Sequence, residues 1–174
     1  MQLGVLTLAL IDDLTGLNNR RGFLALAEHH AKLAYRTGKP FLLAFVDLDG
    51  LKRVNDTFGH QEGNRALVDA ATVLKDSFRQ SDILARLGGD EFAALIADAA
   101  ENDIEAVRHR IHQKLSSFNA SPGRRYDLSF SIGIVPSDAT QHSGIEQILS
   151  QADALMYQQK RSKKDSREFL TSSR

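Results

Sequence analysis

The sequence lacks cysteine and tryptophan, has only three prolines, and carries no formal net charge. Without cysteine, the chain can form neither a disulfide nor a thiolate metal site, which is compatible with the cytoplasmic location that we predict. Its 22 basic residues balance its 22 acidic residues, which argues against binding of DNA or RNA through net positive charge. We therefore expect no nucleic-acid partner. A small anionic ligand held by a few local cations remains compatible with this balance.

Long apolar runs are also missing. The opening run, Leu3 to Ile11, is too short to cross a bilayer and lacks the basic segment and cleavage site of a signal peptide. We predict a connecting helix or linker over residues 1–11, one domain over 12–170 and a tail over 171–174. Such an arrangement is compatible with the cytosolic output domain of a larger, even membrane-bound, protein.

Hydrophobic spacing predicts alternating helices and strands. Helices are predicted over about 20–36, 61–78, 104–118 and 145–160, with a short helical or looped segment over 50–59. Strands are predicted over 41–46, 83–85, 92–96 and 128–134, and a short closing strand over 167–170. The apolar run 41–46 is typical of a strand buried on both faces, whereas the alternation in 128–134 indicates a half-buried one. This order predicts an α+β fold with a ferredoxin-like or palm-type β-α-β-β-α-β core, in which helices surround a mainly antiparallel central sheet.

Residues Gly88-Gly89-Asp90-Glu91-Phe92 lie between two short predicted strands and therefore fall on a hairpin turn. Glycines supply the positive φ angles of a tight turn and let a ligand approach the backbone. The two adjacent carboxylates repel each other, and a bound cation or basic partner offsets that cost. Taken alone, the pentapeptide is equally compatible with a solvated acidic turn.

The first predicted strand ends in Asp47-Leu48-Asp49, where alternation places both acids on the same side of the chain. In a ferredoxin-like layout, the end of this strand lies beside the tip of the central hairpin. We therefore expect Asp47 to lie next to Asp90 and Glu91. Three carboxylates and a backbone carbonyl make a hard oxygen site, which suits magnesium rather than zinc.

Four ordered blocks of the sequence resemble the GGDEF domain, the diguanylate cyclase output module of bacterial signalling, over about residues 12–168. The blocks are residues 13–21, 47–60, 88–92 and 131–133. The resemblance implies a nucleotidyltransferase that uses Mg²⁺, with Mn²⁺ as the alternative ion, to condense two GTP into cyclic di-GMP and pyrophosphate. It also implies a catalytic homodimer, in which each domain presents one nucleotide, and an upstream sensory or dimerisation domain.

The resemblance assigns the catalytic and metal-binding roles to four residues. It makes Asp47, the carbonyl of Leu48, Asp90 and Glu91 the metal ligands, and it makes Asp90 and Glu91 the catalytic pair, with Asp90 at the general-base position. The implied substrate-binding residues are Asn55, His60, Asn64, Gly88, Gly89, Lys160 and Lys164. Without the resemblance, the basic run 160–164 would indicate a solvated helix terminus. Lys164 stands where the family usually has arginine. Lysine keeps the positive charge but cannot bind a phosphate through two parallel hydrogen bonds, as a guanidinium group does.

Arg79 and Asp82 match the RxxD motif of the family's product-inhibition site, and Arg110 is the candidate for an additional arginine. An arginine can bind phosphate bidentately and stack on guanine, and an aspartate can accept from guanine's donor edge. By itself, an RxxD sequence is more often a local salt bridge after a helix.

Asn64 departs from the family, which has aspartate at this position. A carboxylate accepts both N1–H and N2–H of guanine, whereas an amide has one acceptor and adds a donor that complements adenine. Such a mismatch costs about 1–3 kcal/mol. We therefore hypothesise a weakened preference for GTP and some use of ATP. Two alternatives are a weak or inactive cyclase that acts as a cyclic di-GMP receptor through Arg79 and Asp82, and an interaction module with vestigial motifs.

Overall fold

The structure, a computed structural model, describes residues 9–172, apart from the side chain of Phe169. The predicted connecting segment over residues 1–11 therefore lies mostly outside the described residues. Residues 9 and 10 form a turn, and Ile11 pairs with Asn18 in an isolated β-bridge.

Helices and strands alternate through residues 9–172. In chain order they are α1 Arg20–Thr37, β1 Phe41–Leu48, α2 Leu51–Phe58, α3 His60–Ser77, β2 Ile83–Gly88, β3 Glu91–Ala97, α4 Ile104–Asn119, β4 Phe130–Pro136 and α5 Ile145–Ser172. A single 3₁₀ turn, Glu101–Asp103, precedes α4. None of the helices in this part of the chain is both long and apolar enough to span a membrane.

The four strands form one sheet in the order β2-β3-β1-β4, and every neighbouring pair is antiparallel. This is the predicted ferredoxin-like, palm-type α+β fold, which is therefore confirmed. Helices α1 and α5 pack on one face of the sheet, and α3 and α4 pack on the other. The acidic end of β1 and the hairpin between β2 and β3 meet where the strands end on one side of the sheet. This end of the sheet, with Asp47, Asp90 and Glu91, is called the acidic edge here.

Strand β1 is buried on both faces, as its apolar run predicts, and it extends two residues further than predicted. Phe41, Leu43 and Phe45 pack towards α1 and α5, whereas the residues between them pack towards α3 and α4. Each such fully buried side chain contributes about 1.5–3 kcal/mol. Because side chains alternate along a strand, Asp47 falls on the face covered by α5.

The strand predicted over residues 128–134 is present as β4, Phe130–Pro136, but the prediction that it is half-buried is wrong. β4 is buried on both faces from Phe130 to Ile134, and Ser131 and Gly133 lie on the covered side. Helix α5 crosses this face so closely that a Cβ atom on Gly133 would lie 2.0 Å from the carbonyl oxygen of Ala152. The small residues of this strand therefore mark a close helix contact rather than exposure to solvent.

The predicted closing strand over residues 167–170 is also wrong, because α5 continues to Ser172. Neither glycine nor proline interrupts residues 145–172, so nothing in the local sequence ends the helix at Lys160. Side-chain hydroxyls of Ser166 and Thr171 donate to carbonyls four residues earlier, as is common in helices. Residues 171 and 172 of the predicted tail therefore belong to the last helix.

Candidate functional site

The acidic end of β1 meets the acidic hairpin as predicted. Asp47 lies opposite Glu91 in the antiparallel register of β1 and β3. The backbone N–H of Leu48 donates to the carbonyl of Asp90 over 2.9 Å. The structure therefore brings Asp47, Asp90 and Glu91 together, although their catalytic and metal-binding roles stay predictions.

Burial dominates the electrostatics of this acidic edge. Asp47 is only 5% exposed, and burial raises the pKa of its carboxyl group to about 6. The hydrogen bond from Lys160 lowers this pKa, whereas the negative charge of Asp90 raises it further. Burial also raises the pKa of Glu91, and Asp90 again adds to the rise, whereas Arg20 and Lys160 oppose it. Two neighbouring carboxylates in this environment disfavour each other's charge and would be stabilised by a cation.

The donor set at this edge fits a hard divalent cation. Within residues 9–172, no three carboxylate or imidazole side chains already form a cage for a metal ion. The Oδ2 atom of Asp47 accepts a hydrogen bond from Lys160 over 3.1 Å, but Oδ1 is buried and has no hydrogen-bond partner. A buried carboxylate oxygen without a partner is costly, and an ion coordinated by oxygen ligands would satisfy it.

Asp49 lies on the same side of β1 as Asp47, but protein groups satisfy it. Its Oδ1 accepts from Ser131 over 2.7 Å, and its Oδ2 accepts from Ser129 over 2.9 Å and from Lys163 over 3.0 Å. Lys163 also donates to the carbonyl of Phe130. Asp49 therefore ties the end of β1 to β4 and α5, a role that alternation along the strand could not distinguish from ligand binding.

The basic run of α5 lies inside the helix, and part of it faces the sheet. Lys160 and Lys163 contact Asp47 and Asp49 respectively, so the expectation of a solvated helix terminus is wrong for these two residues. Lys164 is exposed. The three lysines line a cleft of about 340 Å³, called the α5 cleft here. Its other lining residues are Asp49, Gly50, Tyr157, Arg161 and Arg167.

The hairpin turn is held by an arginine that sequence reasoning missed. Gly88 and Gly89 have φ angles of 140° and 49°, which side chains rarely tolerate. Arg86 donates from Nε and Nη2 to the carbonyl of Gly89, over 3.0 and 2.8 Å, and from Nη1 to Asp12 over 2.9 Å. An arginine two residues before a Gly-Gly turn is the local signal that could have identified it. The backbone of the turn is therefore fixed from the segment that precedes α1.

Asn55 and Asn64 lie at the contact between α2 and α3. A Cβ atom on Gly63 would lie 1.6 Å from Oδ1 of Asn55, so the missing side chain of Gly63 makes room for the Asn55 amide. Asn64 follows directly and is exposed, as is His60 at the start of α3. Gly63 therefore lets the Asn55 amide approach α3 one residue before Asn64, a role that the sequence did not indicate.

The RxxD residues have a structural role of their own. The backbone N–H of Arg79 donates to Oδ2 of Asp82 over 2.9 Å, and Oδ1 of Asp82 accepts from the N–H of Ala97 over 3.1 Å. The Arg79 guanidinium donates to the carbonyl of Ala97 but remains 57% exposed beside a cleft of about 310 Å³. Within residues 9–172, no hydrogen bond or ion pair joins Arg110 to either residue, and Nε of Arg110 is buried without a partner.

The fold and this edge define the class of the protein: a palm-type α+β domain with a buried, cation-compatible acidic edge. The model of the family described as "Diguanylate cyclase, GGDEF domain" matches residues 9–166. The chain therefore belongs to the GGDEF family of diguanylate cyclase domains, which are nucleotidyltransferases.

Curated relatives match this chain over only part of their own length. The response regulator PleD of Caulobacter vibrioides is 36% identical over 160 residues, which is 90% of this chain and 35% of PleD. The diguanylate cyclase DosC of Escherichia coli is 31% identical over 151 residues, 87% of this chain and 33% of DosC. The cyclic di-GMP phosphodiesterase NbdA of Pseudomonas aeruginosa is 31% identical over 166 residues, 94% of this chain and 21% of NbdA. The chain thus spans about a fifth to a third of these relatives.

Solved structures agree with the fold. The GGDEF domain of DgcB from Caulobacter crescentus, in complex with c-di-GMP, superimposes with a TM-score of 0.79 at 29% identity, covering 88% of this chain and 89% of that one. The diguanylate cyclase SiaD of Pseudomonas aeruginosa, in complex with its activator SiaC, has a TM-score of 0.79 at 30% identity, covering 92% of this chain and 64% of SiaD.

Proposed function

We propose that this domain condenses two GTP molecules into cyclic di-GMP and releases pyrophosphate. The observation that carries the proposal is the buried Asp47 carboxylate, with one unpartnered oxygen, opposite Glu91 and beside Lys160. Family membership supports the same activity, and the DgcB domain in complex with c-di-GMP supports the ligand class.

Asp47, Glu91 and the Leu48 carbonyl would hold Mg²⁺ or Mn²⁺, with Asp90 as a further ligand. The bound ion would stabilise the charge that develops on the phosphates and make the 3′-hydroxyl of the attacking nucleotide more acidic. That hydroxyl attacks the α-phosphorus of the facing nucleotide, its proton passes to Asp90, and the bond to the leaving pyrophosphate breaks. Asp90 lies on the hairpin turn, where it can approach a nucleotide presented by a second copy of the domain.

The remaining site residues bind and orient the substrate. Lys160 is held at the acidic edge by Asp47, so its charge lies within reach of phosphates bound there, and Lys164 extends the positive charge along the α5 cleft. The positive φ angles of Gly88 and Gly89 present backbone N–H groups that phosphate oxygens can use. In this proposal the amides of Asn55 and Asn64 contact the base, with the exposed His60 beside them.

Two copies of the domain are required, because the part of the chain that the structure describes has one acidic edge of this kind and the reaction joins two nucleotides. We propose that the active form is a homodimer brought together by an upstream sensory or dimerisation region. The fraction of the relatives that this chain spans supports such a region. So does the DgcB structure that contains a coiled coil and a GGDEF domain, with a TM-score of 0.82.

A nucleotide-product assay on a forced dimer tests this function. The domain, fused at its N-terminus to a dimeric coiled coil, is incubated with GTP, ATP or both, in Mg²⁺ or Mn²⁺, and the products are identified by mass spectrometry. We expect cyclic di-GMP from GTP, no product from Asp90→Asn, and competition or incorporation by ATP because of Asn64. Absence of any dinucleotide from the forced dimer would contradict the cyclase. Rapid formation of cyclic di-GMP without interference by ATP would contradict only the altered base preference.

We further propose that Arg79, with Asp82 supporting its turn and Arg110 as a third contributor, binds the cyclic product. The exposed Arg79 guanidinium on a cleft supports this proposal, and the engagement of Asp82 by two backbone N–H groups makes its role one of positioning. Calorimetry with cyclic di-GMP should show weaker binding to Arg79→Ala than to Arg65→Ala, a control at an exposed arginine of α3. Equal affinities would place the product site elsewhere.

A further inference from the structure

A second cleft lies beside the candidate site, and we call it the arginine cleft. It is formed by α2, the loop over residues 125–129 and the C-terminal half of α5, and it has a volume of about 400 Å³. Three guanidinium groups line it, those of Arg53, Arg125 and Arg167. It shares Asp49-Gly50 and Arg167 with the α5 cleft, so the two clefts meet at the loop that follows β1.

The positive charge of the arginine cleft is not neutralised by the protein. Within residues 9–172, no hydrogen bond or ion pair engages the side chains of Arg53, Arg125 or Arg167. Asp49 lies in the wall, but Lys163 and two serine hydroxyls already satisfy its carboxylate. Asp127 is the other carboxylate of the lining. The cleft therefore has three guanidinium groups and, apart from Asp49, one carboxylate, so it is locally positive although the net charge of the chain is zero.

Aromatic rings support one of these guanidiniums. Arg125 lies over the ring of Phe58, with 5.8 Å between the guanidinium carbon and the ring centroid. Phe58 packs against Tyr126 with 5.5 Å between centroids, and it is 37% exposed. A cation placed over a ring is partly oriented before a ligand arrives. Guanidinium groups bind both phosphate and carboxylate oxygens in bidentate fashion, and three of them in one cleft favour a ligand with more than one negative charge, such as a phosphoryl group.

We propose that the arginine cleft binds the phosphoryl groups of a second phosphorylated ligand, separate from the nucleotide at the acidic edge. Two or more phosphoryl groups would offer enough acceptor oxygens for three guanidiniums. Such a ligand would contact the Asp49-Gly50 loop, which the two clefts share. The proposal depends on the cleft alone, so the absence of cyclase activity would not affect it.

Isothermal titration calorimetry with inorganic pyrophosphate tests the site. EDTA in the buffer removes divalent cations, so the acidic edge cannot hold pyrophosphate through a metal ion. We expect the double variant Arg125→Gln/Arg167→Gln to bind pyrophosphate at least about tenfold more weakly than the unsubstituted domain does. The matched control, Arg21→Gln/Arg36→Gln, removes the same charge from exposed positions of α1 and should change the affinity less than about twofold.

Lys164→Gln removes a charge of the α5 cleft. It therefore separates pyrophosphate held by the lysines from pyrophosphate held in the arginine cleft, and it should weaken binding less than Arg125→Gln/Arg167→Gln does. Three results would overturn the proposal: no binding to the original chain at millimolar pyrophosphate, equal weakening in both double variants, or a loss in Lys164→Gln as large as that in Arg125→Gln/Arg167→Gln. Because the substituted side chains are exposed, thermal melting should show that all variants remain folded.

Two further ligands identify the source of the phosphoryl group. If the ligand is a nucleoside phosphate, guanosine 5′-monophosphate should bind more tightly than inorganic phosphate, and Phe58→Leu should remove that difference. If it is an inorganic oligophosphate, the monophosphate and inorganic phosphate should bind alike and pyrophosphate should bind more tightly than both. Either pattern supports the proposal only if Arg125→Gln/Arg167→Gln abolishes it, and a pattern that survives in this double variant would overturn it.

Discussion

Asp47 and Asp49 are two residues apart on one strand and face the same helix, yet their surroundings differ at the level of single atoms. Asp47 has an unpartnered buried oxygen, whereas both oxygens of Asp49 accept hydrogen bonds. A residue kept for ligand binding often costs stability when the ligand is absent. This contrast distinguishes a candidate ligand from a structural carboxylate.

The two acids should respond in opposite directions to the same substitution. In metal-free buffer at pH 8, we expect Asp47→Asn to raise the free energy of unfolding by about 1–2 kcal/mol. An amide replaces a buried charge beside Asp90, and the raised pKa of Asp47 shows that this burial outweighs the ion pair with Lys160 that is lost. We expect Asp49→Asn to lower it by about 1–3 kcal/mol, because the ion pair with Lys163 is lost. Urea unfolding measures both values. Equal destabilisation by the two substitutions would show that Asp47 is a structural residue.

Asn64 is the residue on which base selection depends in the proposed function. We expect Asn64→Asp to raise the preference for GTP over ATP by about tenfold to a hundredfold, because a carboxylate accepts both donors of guanine. The measurement is the ratio of kcat/KM for the two nucleotides in the forced dimer. Gln61→Glu adds the same charge at a neighbouring exposed position, and a comparable gain in this control would mean that charge alone is responsible.

At the scale of elements, the contact between β4 and α5 determines where the basic helix lies. Gly133 lets the backbone of α5 approach the sheet at Ala152 and Met156. The approach carries Lys160 and Lys163 to the acidic end of β1. A shift of this helix would therefore separate the lysines from both acids.

Gly133→Ala should destabilise the domain by about 2–4 kcal/mol, because its methyl group would overlap backbone atoms of α5 that cannot move independently. Urea unfolding followed by circular dichroism measures the loss. Gly144→Ala is the matched control, since a Cβ atom there would meet nothing within 4 Å, and it should change stability by less than about 0.5 kcal/mol. A harmless Gly133→Ala would mean that α5 is free to move away from the sheet.

At the scale of the whole molecule, the segment before α1 is joined to the hairpin that carries the acidic turn. Asn18 pairs with Ala85 of β2, and Arg86 connects Asp12 with the carbonyl of Gly89. Asp12 also accepts from the backbone N–H and the hydroxyl of Thr15. Hydrogen bonds through Arg86 thus connect the Gly88-Gly89 turn to Asp12, which follows the predicted connecting segment over residues 1–11.

This connection should make stability depend on pH. Burial alone would raise the pKa of Asp12, but hydrogen bonds from Thr15 and the charge of Arg86 together lower it below the ordinary value of 3.8. A lowered carboxyl pKa stabilises the fold above the ordinary value, and this stabilisation disappears as pH falls through the folded-state pKa. We expect Asp12→Asn to cost about 1–2 kcal/mol near pH 6 and little near pH 2. Urea unfolding across this range measures the difference, and a cost that does not change with pH would contradict the role of the charge.

The sequence by itself determined the order of the elements, the class of the sheet and the acidic edge, because apolar periodicity and turn residues are local signals. Two of its predictions about strands failed where a local pattern has two structural meanings. The alternation in 128–134 did not reveal that α5 covers the polar side of the strand, and the short run over 167–170 did not distinguish a strand from a continuing helix.

Only the tertiary structure decided which acid stays unsatisfied, which lysines reach the sheet and what holds the hairpin turn. Asp49 is satisfied by residues about 80 to 114 positions away, and Arg86 finds Asp12 across 74 positions. Residues so distant in sequence become neighbours only in the folded chain, so no local pattern reveals these hydrogen bonds. For that reason the motif could indicate an acidic edge, whereas the availability of Asp47 and the charge of the arginine cleft required the folded chain.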